Sequence, residues 1–206
     1  MKKQQIASIS RGIIASIILV FIISLSTGCA SFQKNNLAPV ANFPTAEQKK
    51  TISVALSYAI DVNGRAVVAP AVDAGKKELT TKCVDRLSKS GLFNSVSEND
   101  PQADLALNVN IKNDGKANFV MAGLTGATFY IIPSSATEIY KLSATLTDTK
   151  SNRVAEIKLE DGFTQWQQIL LLPLLPFKST VAEVGACQNK LFDNLALEIA
   201  KADMLK

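Results

Sequence analysis

The chain has 206 residues, with 22 Lys and Arg, 18 Asp and Glu and no histidine. The lack of histidine excludes Ser-His and Cys-His nucleophiles and the common zinc sites. Three of the 22 basic residues and none of the acids lie in residues 1–28, so the rest of the chain has 19 basic against 18 acidic residues. A domain this close to neutral lacks the basic surface that nucleic-acid binding requires, and we expect no nucleic-acid partner.

Residues 1–28 have the order of a secretory signal, in which a basic start precedes an apolar run over residues 13–25 and a patch of small residues. Because the run is too short for a stable span, it predicts a segment that is removed during export. The end of the patch, "LSTGC", resembles the lipobox of bacterial lipoproteins. This resemblance implies cleavage before Cys29 and attachment of a diacylglycerol, which carries fatty acids such as palmitate, to its thiol. The alternative interpretation is a retained membrane anchor.

Residues 29–50 are polar, interrupted by prolines and without periodicity, which predicts a flexible tether. The remaining residues 51–206 are enough for a single periplasmic domain. Residues 51–60 alternate well enough for a first strand. Residues 72–90 have the apolar spacing of a helix, and Gly91 then provides the stop that a left-handed cap needs.

Four further strands are predicted at residues 92–99, 103–114, 139–149 and 153–163. The last two are joined by the short polar turn "TKSNR", which is typical of a hairpin. The tail over residues 180–205 repeats apolar residues at helical spacing and predicts a second helix. The expected fold class is α+β, a mainly antiparallel sheet of four to five strands with two helices packed on one face.

Cys83 and Cys187 lie on the apolar stripes of the two predicted helices. In an oxidising compartment such an even pair predicts a disulfide, because both helices are expected to cover the same face of the sheet. The alternative is that both are small buried thiols, as free cysteines often are.

Three stretches resemble a group of small envelope domains: "DRLSKSGLFNSVSE" (85–98), "ADLALNVNI" (103–111) and "TLTDTKSNRVAEIKLE" (145–160). The group includes the N-terminal domain of TolB, the lipoprotein activators of penicillin-binding proteins and the curli-secretion lipoprotein CsgG. The resemblance implies a helix that ends in Ser-Gly-hydrophobic-Phe and leads to an edge strand, with Ala-Asp opening the next strand. It supports a fold more than an activity.

Two apolar segments, residues 118–133 and 165–177, follow strands that are expected to leave the sheet at the same end. Three interpretations compete: an extra lobe of core, an exposed docking or membrane-contact patch, and membrane-spanning hairpins of an oligomeric pore, as the likeness to CsgG suggests. Pro173 and Pro176 argue against the hairpins, since proline interrupts strand pairing. The candidate interaction patch consists of Phe119, Leu124, Phe129, Ile131, Trp166, Leu171, Leu174 and Phe177.

The acidic neighbours Glu98, Asp100 and Asp104, and likewise Glu160 and Asp161, fall in predicted turns or at strand ends. Solvated carboxylates are common there, and no nucleophile, metal motif or phosphate loop lies nearby in the sequence. We therefore expect no catalytic residue, no metal and no cofactor.

The resulting expectation is an outer-membrane lipoprotein, lipid-anchored at the periplasmic face, which binds or scaffolds a protein partner in the cell envelope. Ala30 follows the cysteine where an aspartate would imply inner-membrane retention, by resemblance to lipoprotein sorting rules. The alternative is an accessory subunit of an envelope transport or secretion assembly. The sequence leaves the oligomeric state open.

Overall fold

The computed structural model describes residues 29–174 and 176–205, so the predicted signal over residues 1–28 lies outside the described residues. The strands are β1 (Cys29–Gln33), β2 (Thr51–Val62), β3 (Arg65–Ala66), β4 (Ser95–Glu98), β5 (Leu105–Ala117), β6 (Ser134–Asp148) and β7 (Val154–Gln167). The helices are α1 (Ala71–Lys89), α2 (Phe119–Ala127), α3 (Thr180–Lys201) and a 3₁₀ helix (Ile169–Leu174).

All seven described strands belong to one open sheet with the order β1-β7-β6-β5-β2-β3, and β4 pairs with the first half of β2. β2 is parallel to β4 and β5, and the other pairings are antiparallel. The α+β class is confirmed, but the expected four to five strands are too few. The two unexpected strands, β1 and β3, are short edge strands of five and two residues, too short to give a periodic signal.

The core lies on one face of the sheet. Along β5, Leu105, Leu107, Val109 and Ile111 are buried while the residues between them are more exposed, as strand alternation requires. One hydrophobic cluster joins this row to the buried side chains of α1 and α3, which also contact each other. The opposite face of the sheet is polar, and no described helix covers it.

The helix-to-strand connection after α1 has the local form that the family resemblance implies. Gly91 has a φ of +70°, a left-handed conformation that ends the helix at little cost because glycine has no Cβ. Leu92 and Phe93 are buried directly afterwards, and the edge strand β4 follows. Asp104 directly precedes β5, and its carboxylate accepts hydrogen bonds from Thr51 N (3.1 Å) and Thr51 Oγ1 (2.9 Å).

The expectation of a flexible tether over residues 29–50 is wrong for the described chain. Residues Cys29–Gln33 form β1, and Leu37 and Phe43 pack against the core. The physical reason is a buried ion pair: Lys190 Nζ on α3 lies 2.7 Å from Asp161 Oδ2 on β7 and donates to Gln33 Oε1 (2.9 Å). These contacts hold the residues after Cys29 against the folded domain.

The predicted disulfide between Cys83 and Cys187 is not present, and both cysteines are free and buried. They lie on the inner faces of α1 and α3, within the same hydrophobic cluster. Burial raises the pKa of each thiol from 9.0 to about 12, because a thiolate is poorly solvated there. The structure thus agrees with the alternative interpretation, in which both act as small buried hydrophobic side chains.

Candidate functional site

The two apolar segments leave the sheet at the same end, as expected from the sequence. β5 ends at Ala117 and β6 begins at Ser134, which pairs with Gln167 at the end of β7. The segments also contact each other, since Ile169 N donates to Tyr130 O at 2.9 Å. Neither segment is the lobe of core that one interpretation of the sequence predicts, because most of its large side chains are exposed.

The first segment forms α2, a short helix that the sequence analysis does not anticipate. Asn118 caps it, with its side chain accepting a hydrogen bond from Met121 N at 3.1 Å. Thr125 is the buried residue of the helix, and its hydroxyl donates to Met121 O at 2.8 Å. The large apolar residues Phe119, Val120 and Leu124 are exposed to solvent, and Phe119 is 67 % exposed.

The turn after α2 holds an aromatic side chain outward. Phe129 and Tyr130 have φ values of +50° and +64°, a left-handed conformation that residues with bulky side chains rarely adopt. Tyr130 N donates to Thr125 O at 2.8 Å, which fixes this turn on the end of α2. Phe129 is consequently 80 % exposed, beside the exposed Ile131. Two successive residues in this conformation are a costly arrangement, which is typical of functional sites.

The second segment forms the 3₁₀ helix Ile169–Leu174, in which no residue is buried. Leu171 N donates to Gln168 O at 3.1 Å, and Pro173 lies within the helix. Leu170 is 76 % exposed, whereas Leu171 is half-buried. Phe177, beyond the helix, is 78 % exposed.

The structure brings the predicted patch residues to one end of the sheet. Seven of the eight are exposed, and Leu171 is half-buried. Sequence reasoning missed five further exposed residues there, although all five are apolar and lie within the two segments or close to them in the chain. We call the whole surface the apolar end: Phe119, Val120, Leu124, Phe129, Ile131, Ile132, Trp166, Ile169, Leu170, Leu171, Leu174, Phe177 and Val181.

Cys29 lies at this same end. Its Cα pairs with that of Gln167, the last residue of β7, and the next residue, Ala30, is fully buried and bridges to Ser179. Ser31 N donates to Lys178 O at 2.9 Å. The first described residue of the chain is therefore built into the edge of the sheet, between the 3₁₀ helix and the start of α3.

The sequence around the apolar end contains no acid. Residues 115–137 and 162–182 hold two lysines, Lys116 and Lys178, and no Asp or Glu. Glu183 is the first acidic residue beyond the second segment. Its Oε1 lies 3.1 Å from Lys178 Nζ. These two stretches thus contribute hydrophobic side chains and two cations to this end of the sheet.

A second candidate surface lies along the outer edge of β2. β4 pairs only with Thr51–Val54 and β3 only with Asp61 and Val62, so in the described chain no strand pairs with this edge in between. A polar groove of about 920 Å³ lies here, lined by β2, the exposed side of α1 and residues such as Ser57, Lys77 and Asn108. Unpaired backbone groups at an edge can accept a strand from another chain.

The acidic residues singled out in the sequence do not form one site. Asp104 holds the start of β2 and is 2.6 Å from Lys150 Nζ, while Asp161 is fully buried in its ion pair with Lys190. Within residues 29–174 and 176–205, no group of three or more Cys, Asp or Glu residues is placed to hold a metal ion. The helices of the described chain are also too short or too polar to cross a bilayer.

Comparison with known proteins gives fold-level likenesses only. No family model and no curated protein matches this chain. The chain is similar to a solved PelC dodecamer from Paraburkholderia phytofirmans, with 10 % identity, coverage of 82 % of this chain and 97 % of that chain, and a TM-score of 0.38.

Two other similar structures are a putative neuraminyllactose-binding hemagglutinin homolog from Helicobacter pylori and a minor lipoprotein from Acinetobacter baumannii. The first is 12 % identical, covers 79 % of this chain and 86 % of that chain, and has a TM-score of 0.41. The second is 14 % identical, and the match covers 77 % of this chain and 91 % of that chain with a TM-score of 0.32. At these TM-scores the likenesses assign no function, and the resemblance to the TolB and CsgG group stays a prediction.

Proposed function

We propose that this chain is a lipid-anchored protein of the cell envelope that binds or scaffolds a protein partner and performs no catalysis. Residues 1–28 are removed, Cys29 carries the fatty acyl groups, and the domain lies at the periplasmic face of the outer membrane. The observation that carries this proposal is the position of Cys29, the first residue of β1, at the exposed apolar end of the sheet.

The contacts of β1 support an anchor that is attached directly to the domain. Ser31 Oγ lies 3.0 Å from Thr180 Oγ1, and Lys190 reaches Gln33 and Asn35 from α3. A lipid on Cys29 would therefore hold the folded domain at the membrane surface and not at the end of a long linker.

The outer edge of β2 is the surface that we assign to a protein partner. Its unpaired segment and the groove beside it suit an extended peptide that adds a strand to the sheet, a common mode of peptide recognition. The same edge favours the second candidate function, an accessory subunit of an envelope transport or secretion assembly, in which a neighbouring subunit supplies that strand.

The anchor is tested with a Cys29→Ser variant in cells that are fed a labelled fatty acid. The parent protein should be labelled and found in the outer-membrane fraction, whereas the variant should lose the label and stay as precursor or be released. A variant that is labelled and sorted like the parent would overturn the proposed anchor.

The partner surface is tested with a photo-crosslinking amino acid in place of the exposed Ser57 on β2, and with the same amino acid at Lys158 on β7 as a control. Light should link the Ser57 variant to one envelope protein or to a second copy of the chain, and the Lys158 variant should give no such product. Equal products from both positions would contradict a partner site at the β2 edge.

A further inference from the structure

We propose that the apolar end lies in the interfacial layer of the lipid bilayer, so that the domain stands on the membrane in one fixed orientation. The inference rests on the proposed function for one point only, that the chain is attached to the membrane at Cys29. Both interpretations of residues 1–28 give this attachment, because either a lipid on Cys29 or a retained apolar run over residues 13–25 places the bilayer beside Cys29.

The geometry of β1 leaves no linker between the attachment point and the apolar end. A flexible linker of twenty residues would let a domain move about 25 Å from its anchor. Here Cys29 is itself part of the sheet, and Ala30 pairs with Trp166 and bridges to Ser179. Phe177 and Val181 flank Lys178 and Ser179, the residues that contact β1, so a membrane at Cys29 also meets these side chains.

The chemistry of the surface fits lipid. Phe129, Phe177 and Val181 are 80 %, 78 % and 85 % exposed, and apolar surface gathered in this way at one end of a folded domain marks an interaction site. Lys116 and Lys178 are the charged residues of the two acid-free stretches, and Lys178 is paired with Glu183, so Lys116 is the cation that these stretches offer to an anionic phospholipid surface. Trp166 is 40 % exposed at this end, and tryptophan is a residue type that favours the membrane interface.

The arrangement of the segments also favours a bilayer over a second protein. The exposed side chains come from three separate segments around Cys29, namely α2 with its turn, the 3₁₀ helix and the start of α3. The left-handed turn at Phe129 holds its ring outward and away from the core. A layer of lipid adapts to such a discontinuous surface without needing a complementary shape.

The test uses the full chain, expressed with its own residues 1–28, extracted from membranes and reconstituted into vesicles of phosphatidylethanolamine and phosphatidylglycerol. Trp166 is the single tryptophan of the chain, so its fluorescence reports this end alone. Flotation with the vesicles measures attachment. Quenching of Trp166 by lipids with brominated acyl chains measures contact with the bilayer, and quenching by acrylamide measures exposure to water.

The variant Phe129→Asn/Phe177→Asn removes two large apolar contacts, and asparagine tolerates the left-handed conformation at position 129. The matched control is Val154→Asn, an exposed hydrophobic residue at the opposite end of β7. Both proteins should unfold at the temperature of the parent. The double variant should lower the quenching by brominated lipid roughly twofold, since shallow insertion depends on buried apolar area. The control should leave this quenching unchanged.

The outcomes separate the two proposals. Failure of the parent to float with vesicles would overturn the membrane attachment and this inference together. Flotation with a Trp166 that is open to acrylamide and insensitive to brominated lipid would overturn the docking and leave the anchor intact. Crosslinked dimers that the double variant abolishes would also overturn it, because a second copy would then cover the apolar end.

Discussion

Lys190 Nζ lies 2.7 Å from Asp161 Oδ2, and both side chains are almost completely removed from solvent, with 7 % and 0 % exposed. Asp161 Oδ1 accepts hydrogen bonds from Asn36 N at 3.1 Å and Gly162 N at 2.8 Å. The pair therefore joins α3, β7 and the segment after β1 at a single point. A buried pair of this kind is sensitive to the loss of one partner, because the other charge stays buried without compensation.

The first prediction concerns this pair. Lys190→Met should lower the free energy of unfolding by about 3 kcal/mol, since it leaves the Asp161 carboxylate buried and unpaired. It should also make residues 33–36 sensitive to protease, because the side chains of Gln33 and Asn35 lose their hydrogen bonds from Lys190. Urea unfolding and limited proteolysis measure the two effects. Lys158→Met, at an exposed lysine, is the control and should change neither. Unchanged stability of the Lys190 variant would contradict the assigned role.

The second prediction concerns the two buried cysteines. Burial raises the pKa of Cys83 and Cys187 to about 12, so the reactive thiolate is scarce at neutral pH and reagents cannot reach it. In a Cys29→Ser background we expect slow alkylation of the folded protein and rapid alkylation of two thiols per chain in denaturant without reductant. Mass spectrometry counts the modified residues. A denatured protein with no free thiol would show that the pair is oxidised.

The third prediction concerns acid stability. A hydrogen bond from Lys150, together with those from Thr51, lowers the pKa of Asp104 from 3.8 to about 2. Because the folded state binds this proton more weakly than the unfolded state, the stabilisation is complete above pH 4 and is lost as the pH falls toward 2. Asp104→Asn should therefore reduce stability at pH 7 and flatten its decline between pH 4 and 2.

Chemical denaturation at several pH values measures this slope. Asp85→Asn, at an exposed i,i+4 pair with Lys89, is the control and should follow the parent protein. A parallel pH profile for Asp104→Asn would contradict the prediction. Asp148 acts in the same direction, because a hydrogen bond from Lys50 holds its pKa well below the usual range.

The fourth prediction concerns two glycines with different surroundings. A Cβ on Gly162 in β7 would clash with the carbonyl oxygen of Glu138 on β6, whereas a Cβ on Gly185 in α3 would meet no atom within 4 Å. Gly162→Ala should thus cost about 2 kcal/mol of unfolding free energy through overpacking. Gly185→Ala should add about 0.5 kcal/mol, because alanine restricts the unfolded chain and favours the helix. Thermal or urea unfolding compares the two. Equal effects of both substitutions would show that β6 and β7 can separate at Gly162.

Long periodic elements could be predicted from the sequence, and short ones could not. The helix over residues 72–90 and the strand over residues 103–114 correspond to α1 and β5 because their alternation matches the core that they bury. The sequence predicts a tether where β1 forms, since a five-residue edge strand stabilised by a distant lysine leaves no local signal. The residues that β1 contacts, such as Thr180, lie more than a hundred positions further along the chain.

For the candidate site, too, part could be predicted from the sequence and part could not. The topology of the two apolar segments follows from strand order alone, and the structure places both at one end. Their conformation does not follow, because a run such as "FVMAGLTGA" has no polar face to mark a helix, and α2 is indeed exposed on most sides. The position of Cys29 beside them could not be predicted either, since it depends on the pairing of β1 with β7.

The pairing of β1 has a consequence for the order of events in the proposed export of this chain. β1 pairs with β7 and contacts α3, so the residues after Cys29 cannot take their places in the fold until residues 154–190 are present on the same side of the membrane. In the proposed pathway, the enzymes that acylate Cys29 and cut before it therefore meet an extended, unpaired chain. Completion of the sheet then withdraws this segment from further processing. In this pathway β1 is among the first parts of the protein to reach the membrane, yet it cannot join the sheet before β7 is present.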